Sequence, residues 1–395
     1  MLGNVITVWF PWIKNKNILQ KTAERSIVFA MLFCYSSAAK QALYIMAKIG
    51  YNYIMEVCIL FETRHEGRLR DAGASGVRKE IIMTEFKQAP VVGSKRVDAE
   101  APGTKAKVYF TRTIDAEHLI KLYNLVNENI YGKVAIKLHT GEKHGPNILP
   151  RDMVQAFQAI VPDSAIVETN TLYPGDRYTT EDHRDTLKVN GWTFCPVDIL
   201  DEEGDVALPV RNGLRLKEVH MGGHLTDYDS LIVLTHFKGH AMGGFGGSMK
   251  NIAIGCASGQ VGKREVHLVV DDMPANFEEW PMKEQFMETM ADSAKATCDY
   301  FGKHIVFLNV MRRMSVDCDC AGVAAEEPTI ADIGICASTD ILAIDQACCD
   351  MVFTKPEGDQ KDLVERITSR HGLHQLESMR KQKMGNPQYE LIEVE

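Results

Sequence analysis

The fold is decided by residues 230–251, which read SLIVLTHFKGHAMGGFGGSMKN. The run from Ser230 to Thr235 is almost entirely apolar, as in a strand that is buried on both faces of a sheet. A glycine-rich turn follows it and leads into a predicted helix. A buried strand, a turn and a helix in this order are the repeating unit of an α/β protein.

The same alternation extends from this stretch in both directions. Asp115–Ile130 has apolar residues at helical spacing with Asp115 as a candidate N-cap, and Met153–Val161 is a second helical stretch. Asn212-Gly213 is a favoured hairpin turn between two short β-rich segments, 205–210 and 214–220. The other predicted strands are 106–111, 133–139, 164–168 and 304–310. The sequence therefore predicts an α/β fold with a mixed, largely parallel sheet flanked by helices and a small antiparallel insertion.

The composition of the chain disfavours some classes of function and leaves others open. The chain has 395 residues, a formal net charge of −9 and ten cysteines. The acidic balance disfavours general nucleic-acid binding, which needs a basic surface, and leaves small polar or anionic ligands open. The chain is too long for a disulfide-stapled mini-fold, so the thiols need another explanation.

The first part of the chain reads differently from the rest. Residues 1–82 form an apolar-rich, helical or disordered extension, 83–104 a polar linker, and 105–395 the α/β domain. Lys40 and Lys48 interrupt the apolar stretch, so a membrane span is disfavoured and we expect a cytoplasmic protein. Three readings stay open for the extension: a segment outside the functional fold, a helical hairpin, or a weak anchor.

Candidate pocket residues follow two of the predicted strands. His236, Lys238 and His240 lie at the end of the strand that begins at Ser230, and Lys137 and His139 end an earlier strand. Ligands of open α/β sheets bind at the carboxyl ends of the strands, so these residues are candidates for acid–base catalysis. Two further residues, Asp176 and Arg177, lie in a loop that is predicted to reach the same pocket, with a surface ion pair as the alternative.

The glycine-rich turn is a candidate for binding a cofactor or a small anion. Its glycines would let the backbone approach a ligand closely, and the following helix N-terminus carries partial positive charge. The predicted binding residues are Gly243, Gly244, Gly246, Gly247, Lys250 and Asn251. The spacing matches neither the dinucleotide fingerprint nor the Walker loop, and a tight strand-to-helix turn is the alternative.

The cysteines supply the sharper signal. Cys318 and Cys320 are two residues apart, which puts both thiols on one side of an extended chain, and Cys256 is a candidate third ligand. Thiolates can bind zinc or iron. A redox dithiol and structural burial are the alternatives for this pair. Cys336 and the pair Cys348–Cys349 are predicted to pack in the core.

Several of these motifs together resemble domain-of-unknown-function family 362, many of whose members are described as iron–sulfur proteins. The segments that carry the resemblance are Lys137–Glu142, Asn170–Tyr173 with Arg177, His236–His240 with the glycine run to Asn251, Asp317–Cys320, and Asp332–Ile335 through Ala343–Gln346. The resemblance runs from about Lys105 to the C-terminus. It implies an α/β domain with a polar pocket and an association with redox or metal chemistry. Family members often carry a ferredoxin-like cysteine run, which this sequence lacks.

Three functions remain after this reading. The first is a metal- or iron–sulfur-linked oxidoreductase or accessory redox enzyme that acts on a small polar or anionic substrate, with a redox protein as a candidate partner. It would use an iron–sulfur cluster or a single iron or zinc ion. The second is a cluster-free protein that binds or transfers a small anion at residues 243–247. The third is a structural subunit that docks through residues 1–82.

Overall fold

The computed structural model describes residues 104–269, 273–274, 279–280, 283–355 and 358–395. The predicted extension and nearly all of the predicted linker lie outside these ranges. Cys34 and Cys58 lie outside them as well. Within the described ranges, every helix is too short or too polar to cross a bilayer.

The strands of the described part confirm the predicted sheet. They are β1 (Ala106–Thr111), β2 (Val134–Lys137), β3 (Ser164–Glu168), β4 (Val197–Ile199), β5 (Asp205–Pro209), β6 (Glu218–Gly222), β7 (Ser230–His236), β8 (Lys238–His240), β9 (Gly244–Gly246), β10 (Ile305–Met311), β11 (Gly334–Ser338) and β12 (Tyr389–Glu393). Eight of them form one sheet in the order β12-β1-β11-β10-β7-β2-β3-β4. Within this sheet β11 is the strand that runs antiparallel to both of its neighbours.

Helices cover both faces of the sheet. They are α1 (Ala116–Tyr123), α2 (Arg151–Ala159), α3 (Thr180–Val189), α4 (Ser248–Gly255), α5 (Gly262–Val266), α6 (Glu284–Phe301), α7 (Ile341–Phe353), α8 (Lys361–Ser369) and α9 (His374–Lys381). Asp115 caps α1 as predicted, because its side chain accepts a hydrogen bond from the His118 amide. The helix is shorter than predicted and ends at Tyr123.

Two apolar cores lie on opposite faces of the sheet. In β7, Leu231 and Val233 belong to the core under α4, α6 and α7, whereas Ile232 and Leu234 belong to the core under α1 and α2. This is the alternation that a pleated strand imposes. A strand with both faces covered must be apolar throughout, which explains the uninterrupted run that begins at residue 230.

Two small antiparallel pairs lie outside the main sheet. The pair β5–β6 is the predicted insertion, and Asn212 in its turn has a positive φ of 55°. The pair β8–β9 was not predicted, because strands of three residues with two glycines in β9 carry no apolar alternation. This second hairpin places Lys238 and His240 beside the carboxyl end of β7.

The strand directions bring several loops to one edge. Strands β2, β3, β4, β7 and β10 all run parallel, so their carboxyl ends meet at the same edge of the sheet. The loops that follow β2, β7 and β10 carry most of the predicted site residues. The fold therefore gathers segments that are distant in sequence around one cavity.

Candidate active site

A cavity of about 380 Å³ opens at the carboxyl edge of the sheet. A volume of this size suits a small ligand. Ten of the sequence-predicted residues line it, and they are Lys137, His139, Arg177, Lys238, His240, Gly246, Gly247, Lys250, Asn251 and Cys320. The pairs predicted from separate strands therefore do share one pocket.

The thiol–imidazole cluster consists of His139, Cys318 and Cys320. Each residue offers one ligand atom, and these three atoms all lie within 4.8 Å of one another. The predicted extended geometry of the cysteine pair is wrong, because Cys318 caps a 3-10 helix that spans Asp319–Ala324. The two thiols meet through this turn instead.

The cluster holds its charge unequally. A hydrogen bond with Cys320 lowers the pKa of Cys318 well below its usual value, and the charges of Lys250 and His139 act in the same direction. The same hydrogen bond raises the pKa of Cys320 well above its usual value. Burial lowers the pKa of His139, which favours the neutral ring. These shifts favour a thiolate at Cys318, a thiol at Cys320 and a neutral imidazole at His139.

Asp319 lies between the two cysteines and anchors their loop. Its Oδ2 lies 2.8 Å from His236 Nδ1 and 3.0 Å from Lys238 Nζ, and all three side chains are buried. The other ring nitrogen of His236 lies 2.7 Å from the backbone oxygen of Arg312. Both nitrogens of His236 are thus engaged within the protein. His236, predicted as catalytic, does not line the cavity, and it contacts the cysteine loop through Asp319, a residue that was not assigned to the site from the sequence.

Glu168 is the centre of a second buried network. Its carboxylate accepts from Lys137 Nζ at 2.8 Å and from the backbone N–H of Thr140 at 2.8 Å. Arg177 Nη1 lies 3.8 Å from the same carboxylate. Burial alone would raise the pKa of Glu168, but the charge of Lys137 and then those of His139 and Arg177 lower it well below the usual value. Glu168 was recognised from the sequence as the end of a predicted strand, but it was not assigned to the site.

Arg177 also contacts the loop after β2. Its Nε and Nη2 donate to Glu142 Oε1 at 3.0 and 2.8 Å, and the Tyr173 hydroxyl donates to the same oxygen at 2.9 Å. Arg177 therefore reaches the pocket as predicted. The neighbouring Asp176 is exposed and lies 3.6 Å from Lys143, so for this residue the surface ion pair is the correct alternative.

The glycine-rich turn binds a carboxylate of the protein itself. The amides of Ser248 and Met249, at the start of α4, donate to Asp345 at 2.8 and 2.9 Å. A Cβ at Gly247 would lie 2.5 Å from Asp345 Oδ1, so only glycine fits there. The helix N-terminus that we expected to hold an external anion is thus already occupied by Asp345.

The other members of the turn differ in position. Gly243 and Gly244 do not line the cavity, and they pack against Gln375 and Gly372 instead. The Asn251 side chain donates to Thr235 Oγ1 at 3.0 Å and to the backbone oxygen of Leu234 at 3.2 Å. Asn251 therefore fixes α4 against β7. Lys250 lines the cavity, and its Nζ lies 3.6 Å from Cys318 Sγ.

Two histidines and one lysine complete the wall of the cavity. The Nδ1 atom of His240 accepts the backbone N–H of Gly243 at 2.9 Å, and burial lowers the pKa of this ring well below its usual value. The neutral ring then carries its proton on Nε2. Lys263 and His267 also line the cavity and were missed, because α5 has only five residues and no recognisable motif.

Cys256 does not join the cluster. It ends α4 in the apolar core, and burial raises its pKa to about 12. His139 takes the place that the sequence analysis gave to Cys256, and no other cysteine of the described ranges joins the cluster. Cys336, Cys348 and Cys349 are buried in the core as predicted.

Comparison with known proteins found one matching family and several similar solved structures. The family described as "Domain of unknown function (DUF362)" matches residues 134–350. No curated protein matches the chain. The lactate racemase apoprotein of Thermoanaerobacterium thermosaccharolyticum is similar in structure, with 13% identity, 66% of this chain and 58% of that chain covered, and a TM-score of 0.36. A Thermotoga maritima protein is similar with 11% identity, 50% and 51% coverage and a TM-score of 0.30. The chain thus spans less than two thirds of either protein.

Proposed function

The chain belongs to the DUF362 family, and we propose that it is an enzyme in which His139, Cys318 and Cys320 hold a single zinc or ferrous ion beside a small polar substrate. The observation that carries this proposal is the thiol–imidazole cluster, whose three donor atoms lie within 4.8 Å of one another at the cavity. Two sulfurs and one imidazole nitrogen are a donor set that zinc and iron accept.

The donor set favours a single ion over an iron–sulfur cluster. A four-iron cluster is held by four cysteine thiolates, whereas the described residues bring two cysteines together here. Three protein ligands leave a position open, which is the pattern of catalytic rather than structural zinc sites. A bound ion would supply a Lewis acid that polarises a substrate oxygen.

The surrounding residues have definite tasks in this proposal. Asp319 fixes the cysteine loop through His236 and Lys238, and Glu168 fixes Lys137 and the loop after β2. Glu168 Oε1 also lies 3.9 Å from His139 Nδ1, so its negative charge lies close to that ring without a hydrogen bond to it. His240 would present its Nε2 proton to a substrate oxygen. The redox reaction, the redox partner protein and the cytoplasmic location remain predictions from the sequence.

Metal content tests the proposal. We would purify the full chain anaerobically, strip it with a chelator, reload it with Zn²⁺ or Fe²⁺, and measure bound metal by mass spectrometry. Wild type is expected to hold about one ion per chain, and the Cys318→Ser, Cys320→Ser double variant none. His139→Ala is expected to weaken binding by more than tenfold, the lower bound for losing even an outer-sphere group.

Two other cysteines supply the controls. Cys195→Ser alters a half-buried cysteine outside the cluster, and Cys256→Ala removes the third ligand that the sequence analysis expected. Both are expected to keep the ion. A wild type that holds no metal, or a Cys195→Ser protein that loses as much as the double variant, would refute the proposal.

A second candidate function is a metal-free dithiol, and one contact favours it. The backbone N–H of Gly141 donates to His139 Nδ1 at 3.0 Å, so the neutral ring carries its proton on Nε2, the atom that a metal would need. In this function the Cys318 thiolate attacks the disulfide of a substrate and releases one thiolate. Cys320 then displaces the second, which leaves a Cys318–Cys320 disulfide. Thiol counts before and after exposure to oxidised dithiothreitol would detect that disulfide.

A further inference from the structure

Five cationic side chains line the cavity. Three of them have a carboxylate partner: Lys137 Nζ lies 2.8 Å from Glu168, Arg177 Nη2 lies 2.8 Å from Glu142, and Lys238 Nζ lies 3.0 Å from Asp319. These three pairs carry no net charge. They hold the walls of the cavity in place, and their cations are already compensated.

The other two cations are Lys250 and Lys263. Across the described ranges, neither has a carboxylate within 4.0 Å. Lys250 Nζ contacts Cys318 Sγ at 3.6 Å, and Lys263 Nζ donates to Thr169 Oγ1 at 2.6 Å and to the backbone oxygen of Asn170. Lys250 is 8% exposed and Lys263 is 5% exposed.

Leaving a buried ammonium without a negative partner is costly. An uncompensated ion loses its hydration, and the effective penalty in proteins is several kcal/mol. Thiolates that bind a divalent ion share their charge with it, so Lys250 gains little compensation from Cys318 in the metal-loaded protein. Burial also lowers the pKa of Lys263 to about 8, although the more distant charges of Asp201 and Glu168 oppose this shift. Both lysines face the same cavity.

We propose that the cavity binds a small organic anion whose oxyanion groups, carboxylate or phosphate, are held by Lys250 and Lys263. The cavity also suits the carbon skeleton of such a ligand, because the apolar side chains of Leu172, Met242 and Ile254 line it. This inference deepens the proposed function, since it names the substrate class for the cavity beside the cluster. It stands apart from the glycine-turn hypothesis, because the α4 amides are bound to Asp345.

Calorimetric titration tests the inference with three probes. Succinate carries two carboxylates, succinamide is its neutral analogue of the same size, and inorganic phosphate represents the other oxyanion. We expect succinate or phosphate to bind and succinamide not to bind. Competition between the two anions tells which oxyanion the lysines prefer. Failure of both anions to bind, or equal binding of succinamide, would overturn the inference.

Lysine variants assign the contacts. Lys250→Met and Lys263→Met keep most of the side-chain volume and remove a buried charge, and each is expected to weaken anion binding at least tenfold. Lys303→Met changes an exposed lysine and is expected to bind as wild type does. If one variant does not fold, the other still decides the question. An anion that binds both variants as tightly as wild type would contradict the assignment.

Titrations of metal-stripped and zinc-loaded protein separate this inference from the proposed function. Anion binding to the stripped protein that depends on both lysines supports the inference even where no metal binds. Anion binding that requires zinc and is unaffected by either lysine variant would mean that the ion alone holds the ligand. That result would overturn the inference and leave the metal proposal standing.

Discussion

Glu168 and Asp345 are two carboxylates buried at the same edge of the sheet, 3% and 0% exposed. Their pKa values are shifted in opposite directions. Around Glu168, the charges of Lys137, His139 and Arg177 outweigh burial and lower the pKa. Around Asp345, burial outweighs the hydrogen bonds from Met249, Asn309 and Ser248 and raises the pKa to about 6. At Glu168 the cationic charges thus outweigh the cost of burial, whereas at Asp345 the hydrogen bonds offset that cost only in part.

The difference between these two carboxylates explains why the cavity is positively charged. On the Glu168 side the negative charge is matched by cations of the wall. On the Asp345 side the carboxylate faces amides, so its charge is not available to the lysines of the cavity. The cationic character of the cavity therefore comes from Lys250 and Lys263, and Asp345 shapes the turn without neutralising them.

The largest expected effect is that of Glu168→Gln. It leaves Lys137 buried without its anion, and breaking a buried pair in this way costs about 3–5 kcal/mol of unfolding free energy. Urea titration measures the loss. Glu393→Gln is the control, because Glu393 pairs with Arg112 at the exposed rim, where a pair is worth about 0–1 kcal/mol. Equal losses in the two variants would contradict the account of Glu168.

Asp345→Asn is expected to change the pH dependence of stability. Because the folded pKa of about 6 lies above the ordinary aspartate value of 3.8, Asp345 contributes stability that is full at low pH and is lost as pH rises through about 6. The difference in unfolding free energy between wild type and Asp345→Asn should therefore fall by roughly 3 kcal/mol between about pH 4 and pH 7. Denaturant titrations at several pH values measure it, and a constant difference would refute the prediction.

Two adjacent glycines, Gly246 and Gly247, test whether Asp345 shapes the turn before α4. A methyl group at Gly247 meets the Asp345 carboxylate at 2.5 Å, whereas at Gly246 the nearest atom is Lys250 Cδ at 3.7 Å. Gly247→Ala should cost about 1–3 kcal/mol by overpacking, and Gly246→Ala much less. Thermal unfolding of the two variants checks this. If Gly246→Ala were the more damaging, the turn would not be shaped by Asp345.

The smallest expected effect concerns the ionisation of two buried thiols, those of Cys318 and Cys256. In metal-free protein the lowered pKa of Cys318 predicts one thiolate near neutral pH, which is lost as pH falls through the folded pKa. Burial keeps Cys256 protonated. Ultraviolet thiolate absorbance should therefore disappear in Cys318→Ala and persist in Cys256→Ala. The reverse pattern would mean that the two environments are wrongly assigned.

Much of the fold could be predicted from the sequence because its signals are local. A buried strand must be apolar on both faces, so the run at Ser230–Thr235 and the strand at residues 304–310 were recognisable. The N-cap at Asp115 is likewise a property of neighbouring residues. The β8–β9 hairpin was missed because it is held by tertiary contacts, among them the close approach of Gly239 to the backbone of Val316.

The site was predictable only in part, for a related reason. Strand ends identified Lys137, His139, Lys238 and His240 as pocket residues, since topology brings such ends together. The third member of the cluster with Cys318 and Cys320 depends on distances across the fold. Sequence spacing alone could not show that this member is His139 rather than Cys256. Glu168 belonged to no recognised motif, and Asp319 lay inside the Asp317–Cys320 segment without a role assigned to it.

The bond between Asp345 and Ser248 also bears on the order in which the protein folds. It joins residues 97 positions apart, whereas the Lys137–Glu168 pair spans 31. Closing the longer loop costs more chain entropy, and contacts of long sequence separation form late. The Glu168 network can therefore assemble while the turn before α4 is still unshaped. Pulse-labelling hydrogen exchange should find the Ser248 and Met249 amides protected later than the Thr140 amide.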